Sequence, residues 1–242
     1  MVLKTRCYSH GGERMSDRQK VVVFGDSLFK GVIFNEHKKR YQYLEKPCVE
    51  TIIQEKNMDV DNRSRFGLTT TKAVEYINQC LEKDKDYDYA VIELGGNDCN
   101  FKWEEVASIP EAEHQPIVSL AQFELNLIAI IDLIKKSHIV PIIVTLPPIS
   151  SKKYFDWISK NLDKQEILKW LKEENYIYKY QELYNNCLTN IARKKAIQLI
   201  DLRLVLLKIK DYENYLCIDG IHLNENGHRV IVKSFQKGEL KI

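Results

Sequence analysis

The chain has 242 residues, 44% apolar and 29% charged, with 36 Lys and Arg against 34 Asp and Glu. That length is enough to bury a sizeable core in one α/β domain or two small ones, and the composition argues against disordered and membrane-spanning classes. A formal charge of +2, with basic residues spread along the chain, leaves no electrostatic footprint for nucleic acid.

In chain order, residues 1–18 carry basic residues without an apolar stretch of signal-peptide type and are read as a flexible leader, with Met15 an alternative start. No run of about 18 apolar residues follows, so no stable membrane insertion is expected and the protein is read as cytoplasmic. The six cysteines, at 7, 48, 80, 99, 187 and 217, form no CxxC or CxxH pair. They read as reduced thiols and suggest neither a disulfide framework nor a zinc site.

Residues 19–242 read as a single domain. Short apolar runs at 21–24 (VVVF), 89–94 and 139–146, with weaker ones at 58–60 and 197–200, have the character of strands buried on both faces. Helical periodicity separates them, clearest in Leu120, Phe123, Leu127, Ile130, Ile131 and Ile134. Further helices are expected at 47–56, 69–82, 181–196 and 225–236, the last capped by Asn224. The alternation predicts a three-layer α/β/α fold on a five-stranded parallel sheet, whose ligands bind beyond the carboxyl ends of the strands. Residues 149–180, after Pro147-Pro148, lengthen one crossover and are rich in Lys and aromatics. They read either as surface helices docked on the core or as a cap over the site.

Ser27 stands beyond the first strand in Gly25-Asp26-Ser27, where a serine serves as a helix cap or as a nucleophile. A nucleophile needs a base, a group that orients the base, and donors for the oxyanion. Asp219 and His222 lie three residues apart in DGIH, close enough for a carboxylate to fix the imidazole tautomer. His228 competes, but one turn into a helix it is expected on a solvated face. Asp201 is the second choice to Asp219. Asn97, after two glycines, offers a side-chain amide, and Gly67 a backbone N–H with no side chain in the way. Asp26 and Asp98 read as loop-ordering carboxylates, while Cys99 and Cys217 fall close to these blocks.

These four blocks, GDS, a glycine-bearing block, GGND and DGIHLN, resemble in kind and order those of the SGNH hydrolases, the GDSL lipase/esterase superfamily. The resemblance runs from residue 20 to about 232. The strings GGNDCNFKWEEVA and RYQYLEKPC further resemble a bacterial branch that brings no substrate with it. The resemblance implies a flavodoxin-like sheet, no metal and no organic cofactor. It also implies Ser27 as nucleophile, His222 as base, Asp219 as its partner, and an oxyanion hole of the Ser27 and Gly67 amides with Asn97.

The expected activity is hydrolysis of a carboxylic ester, whether short-chain acyl, acetylated carbohydrate or lysophospholipid, through an acyl-enzyme. An acyltransferase or thioesterase would use the same residues, and a binding module would keep the scaffold without the chemistry. The expected partner is a small-molecule ester, and oligomeric state is left open. Trp103, Phe155 and Trp157 are the candidate substrate contacts, since aromatics suit an acyl chain or a sugar face. A phosphate-binding loop is excluded by the missing Lys-Ser/Thr ending after Gly25, and an α/β-hydrolase elbow by the absence of GxSxG.

Overall fold

The computed structural model describes residues 18–238, so the expected leader, with Met15 and Cys7, lies outside the described residues save for Arg18. The strands are β1 (Lys20–Gly25), β2 (Val32–Asn35), β3 (Arg40–Tyr43), β4 (Asp59–Asn62), β5 (Tyr89–Glu93), β6 (Val140–Val144) and β7 (Gln198–Ile200). The helices are α1 (Ser27–Lys30), α2 (Cys48–Glu55), α3 (Thr70–Lys83), α4 (Trp103–Ser108), α5 (Leu120–Lys136), α6 (Ser151–Ile158), α7 (Lys164–Leu171), α8 (Tyr176–Lys194), α9 (Leu202–Leu207) and α10 (Glu225–Gln236).

Five strands pair in parallel in the order β4-β1-β5-β6-β7. Taken in chain order along the sheet this is 2-1-3-4-5, the flavodoxin-like arrangement, whose switch point lies between β1 and β5. The register sets Gly25 level with Glu93. The chain segments that leave these two strands, Asp26-Ser27 and Leu94 to Asn97, therefore emerge side by side.

Alternate residues of the apolar runs feed two cores. Val22, Phe24, Ala90, Ile92 and Ile143 pack with α3, α5 and α8. Val21, Val23, Val91, Ile142 and Val144 pack with α1, α2, α9 and α10. A strand with helices on both faces has no polar side, which is why these runs are continuous. The expected helices at 47–56, 69–82 and 225–236 form within one residue of their predicted ends, and Asn224 caps α10 by accepting from the Gly227 amide at 3.0 Å.

Residues 149–180 fold as α6, α7 and the first turn of α8. Their apolar faces join Phe101, Trp103 and Val106 of the α4 region in a third cluster, with Tyr154, Phe155, Ile167, Leu171 and Ile177. The docking partner is thus the α4 segment more than the sheet. The β2–β3 hairpin and α9 have no counterpart among the predicted elements.

The loop before α10 closes with a bridge between Leu216 and Leu223. At its tip Gly220 has φ 73°, and its carbonyl accepts from the Ser150 amide at 2.9 Å. A Cβ there would stand 2.7 Å from the Tyr154 nitrogen and 2.8 Å from the Ser150 oxygen. These are backbone atoms and do not yield, and an L side chain at this φ costs about 1–2 kcal/mol before any clash. Gly220→Ala should therefore lower the melting temperature and loosen the segment from Asp219 to His222. A thermal melt with hydrogen exchange over residues 216–224 checks this, and unchanged protection in the variant would contradict it.

Candidate active site

Ser27 is the first residue of α1, set by a sharp turn at the end of β1. Asp26 makes that turn: its carboxylate accepts from the Leu28 amide at 3.0 Å, and its own amide donates to the Glu93 carbonyl at 3.2 Å. These bonds order the loop, as expected of Asp26, and leave the Ser27 side chain half-buried at the sheet edge. The Ser27 and Gly67 amides find no hydrogen-bond partner among the described residues. Gly67, at φ 71°, has no atom within 4 Å of the point where a Cβ would stand.

His222 comes to Ser27 from the far end of the chain. Its Nε2 lies 2.9 Å from Ser27 Oγ, and its Nδ1 lies 2.7 Å from Asp219 Oδ2. The side chains of His222 and Asp219 are 7% and 0% exposed. Asp219 Oδ1 accepts from the Ile221 and His222 amides, each at 3.1 Å, which folds the three-residue spacing into a closed turn. Burial alone would push the Asp219 carboxyl up. The hydrogen bond and charge of His222 and these amides outweigh it and hold the group below the usual carboxylate range.

Tyr41, from β3, also donates to Asp219 Oδ2, at 3.0 Å. Burial and the Asp219 charge push its phenol well above the ordinary tyrosine value, so it remains a donor. The Tyr41 ring meets His222 edge-on at 5.2 Å, and Phe66 stacks on the imidazole at 6.1 Å, 52% exposed on its outer side. The sequence reading missed both residues. Tyr41 is 178 positions from Asp219, and its one local signal is the alternation of RYQY.

Asn97 is held on two sides, its Nδ2 donating to Asp26 Oδ2 at 3.0 Å and to the Leu68 carbonyl at 3.2 Å. It thus joins the segments that carry Ser27 and Gly67. Beneath it Asp98 accepts from the Thr70 amide and hydroxyl, a loop-ordering role as expected. Burial raises Asp98 to about 6. Glu93 is buried beside Asp26, and burial and the Asp26 charge push it well up. Burial raises both carboxyls, but Asp26 takes two close donors while the Asp26 amide reaches Glu93 only at 3.4 Å, so Glu93 is raised the more.

Three sequence expectations are corrected. His228 is 4% exposed, not solvated: α10 packs on α2, and the Cys48 amide donates to His228 Nδ1 at 3.4 Å. Asp201 faces away from any histidine, capping α9 through the Leu204 amide at 3.0 Å and binding Thr145 Oγ1 at 3.1 Å. Phe155 is fully buried in the third cluster and does not face the site, and Trp157 packs on Phe34 at 4.9 Å and Tyr41 at 6.2 Å. Trp103 does line the cavity that opens at Ser27, with Tyr154, Tyr180 and Cys99, while Cys217 braces the loop through its amide to the His222 carbonyl at 2.7 Å.

Among the described residues no group of three or more His, Cys, Asp or Glu is placed to hold a metal ion, and no helix is long and apolar enough to cross a membrane. No curated protein matches the sequence. Solved structures that share its fold include the following three. A lipase/acylhydrolase from Enterococcus faecalis is 20% identical with a TM-score of 0.58, covering 92% of this chain and 97% of its own. A catalytic mutant of an acetylxylan esterase from Geobacillus stearothermophilus is 16% identical with a TM-score of 0.61, covering 93% and 95%. An esterase from a Pseudoalteromonas species is 15% identical with a TM-score of 0.58, covering 90% and 95%. The model of the GDSL-like lipase/acylhydrolase family matches residues 23–230, which include the Ser27, Asn97 and His222 segments described above. The chain belongs to the GDSL-like lipase/acylhydrolase family.

Proposed function

We propose that the protein hydrolyses a carboxylic ester through an acyl-enzyme on Ser27. The observation that carries this reading is the unbroken hydrogen-bond chain from Ser27 Oγ through His222 to Asp219, with links of 2.9 and 2.7 Å. With Nδ1–H donated to Asp219, His222 Nε2 accepts the Ser27 proton as Oγ attacks the ester carbonyl. The carbonyl π electrons move to oxygen, and the oxyanion is met by the free Ser27 and Gly67 amides. His222 returns the proton to the leaving alcohol as the C–O bond breaks. Water, deprotonated by the same imidazole, then releases the acid and restores Ser27. The family assignment and the acetylxylan esterase among its fold relatives are in keeping with ester chemistry. The five described cysteines are free thiols, in keeping with a reducing compartment, and we place the reaction in the cytoplasm.

In this reading Tyr41 tunes the chain as a positioning residue. Its hydrogen bond draws electron density from the carboxylate oxygen that also holds His222, moderating the pull of Asp219 on the imidazolium. Asn97 completes the oxyanion hole by turning one Nδ2 hydrogen from the Leu68 carbonyl to the substrate oxygen.

Three expected outcomes test the reading. Ser27→Ala should lower kcat by at least about 10⁴-fold with the fold intact; comparable turnover in the variant would sink the mechanism. Tyr41→Phe should lower kcat by roughly three- to tenfold and move the acid limb of kcat/KM to higher pH, because Asp219 then holds the imidazolium more strongly. An unmoved limb would leave Tyr41 a packing residue. Asn97→Ala should lower kcat by about 100- to 1000-fold with KM little changed, and should lower the melting temperature, since two hydrogen bonds between loops are lost. A fall in kcat of less than about tenfold would make Asn97 a loop tie only.

A further inference from the structure

The cavity at Ser27 has a volume of about 110 Å³, and α6 and the start of α8 contribute Tyr154, Ile177 and Tyr180 to its lining. Beside Ser27 it is lined by the apolar faces of Leu146, Pro147, Ile149, Trp103, Ile177 and Tyr180. Four of these, with Tyr154, belong to the third hydrophobic cluster or pack against it, so the 149–180 segment and α4 build this wall together.

Most of the polar side chains around that wall, those of Asn100, Trp103, Tyr154 and Gln181, are already paired. Asn100 Oδ1 accepts from Trp103 Nε1 at 2.8 Å, from the Tyr154 hydroxyl at 2.6 Å and from the Phe101 amide at 2.9 Å. Gln181 donates to the Pro147 carbonyl at 2.8 Å and accepts from Arg203 at 3.1 Å. A sugar pushed into this cavity would lose the water bound to its hydroxyls and find few free partners, which costs free energy. An alkyl chain has no such requirement.

We propose that this cavity is an acyl pocket for an unbranched chain of intermediate length, the ester carbonyl resting at Ser27 and the chain running toward Ile177 and Tyr180. The inference rests on the ester-hydrolase reading and adds the acyl class to it. Each methylene entering the pocket leaves water, which is worth about fourfold in kcat/KM. Activity then falls once the chain outgrows the wall, because a packed interior does not stretch to fit.

The test is a series of p-nitrophenyl esters from acetate to palmitate, with acetylated xylo-oligosaccharide beside it. It is run on the wild type and on two wall variants, Ile177→Phe and Tyr180→Ala. We expect kcat/KM to rise from acetate to a maximum at an intermediate chain length and then to fall toward palmitate. Ile177→Phe should move the maximum to shorter chains and Tyr180→Ala to longer ones, so if one variant fails to fold the other still decides. A maximum at acetate, faster turnover of the acetylated sugar, a flat profile, or a maximum that neither variant moves would overturn the pocket while ester hydrolysis stands. Absence of hydrolysis of every ester in the wild type would instead overturn the ester-hydrolase reading.

Discussion

The pairing of β1 with β5 is the constraint on which the site depends. Gly25 and Glu93 are level across that pair, and the chain runs on to β4 on one side and to β6 on the other. The crevice this opens holds Ser27 and Asn97 on adjacent loops without either being near the other in sequence. Everything else in the site is brought to that edge. The hairpin supplies Tyr41, the segment after β4 supplies Phe66 and Gly67, and the loop before α10 supplies Asp219 and His222.

Such a crevice concentrates carboxylates where water is scarce, and the structure handles each in a different way. Asp219 remains charged because a histidine, a tyrosine and two amides face it. Asp26 is satisfied by the Leu28 amide and Asn97, and Asp98 by Thr70. Glu93 has no comparable set of donors, and burial and the Asp26 charge push it well up. His222 thus has a charged carboxylate fixed on its Nδ1, which suits a base that takes and returns one proton. The third hydrophobic cluster lines the cavity beside Ser27, and its aromatics set what fits there.

Much of this was legible in the sequence, for identifiable reasons. Val21 to Phe24 and Ile139 to Leu146 are apolar at every step or nearly so because both faces of their strands are covered, and that pattern needs no tertiary knowledge. Ser27, His222 and Asp219 announced themselves by residue type next to strand ends and in a short loop. Tyr41 did not, because its partner is set by the hairpin, whose turn is made of charged residues and closes on Lys39 at φ 49° where a glycine would have signalled it. Phe155 was misplaced by one residue. On a helix one position is about 100° of rotation, enough to bury Phe155 in the cluster and turn Tyr154 to the cavity. His228 was misjudged because the α10 face that meets α2 cannot be told from the solvent face by one residue's polarity.

The central claim is that Ser27 is the nucleophile, and peptide mapping after reaction with a fluorophosphonate tests it most directly. The probe forms a bond only with a serine whose proton is being removed. The account predicts one adduct per chain, on the peptide containing Gly25-Asp26-Ser27, and its loss in His222→Ala. An adduct on another residue, or an unlabelled Ser27 in a preparation that hydrolyses esters, would contradict it.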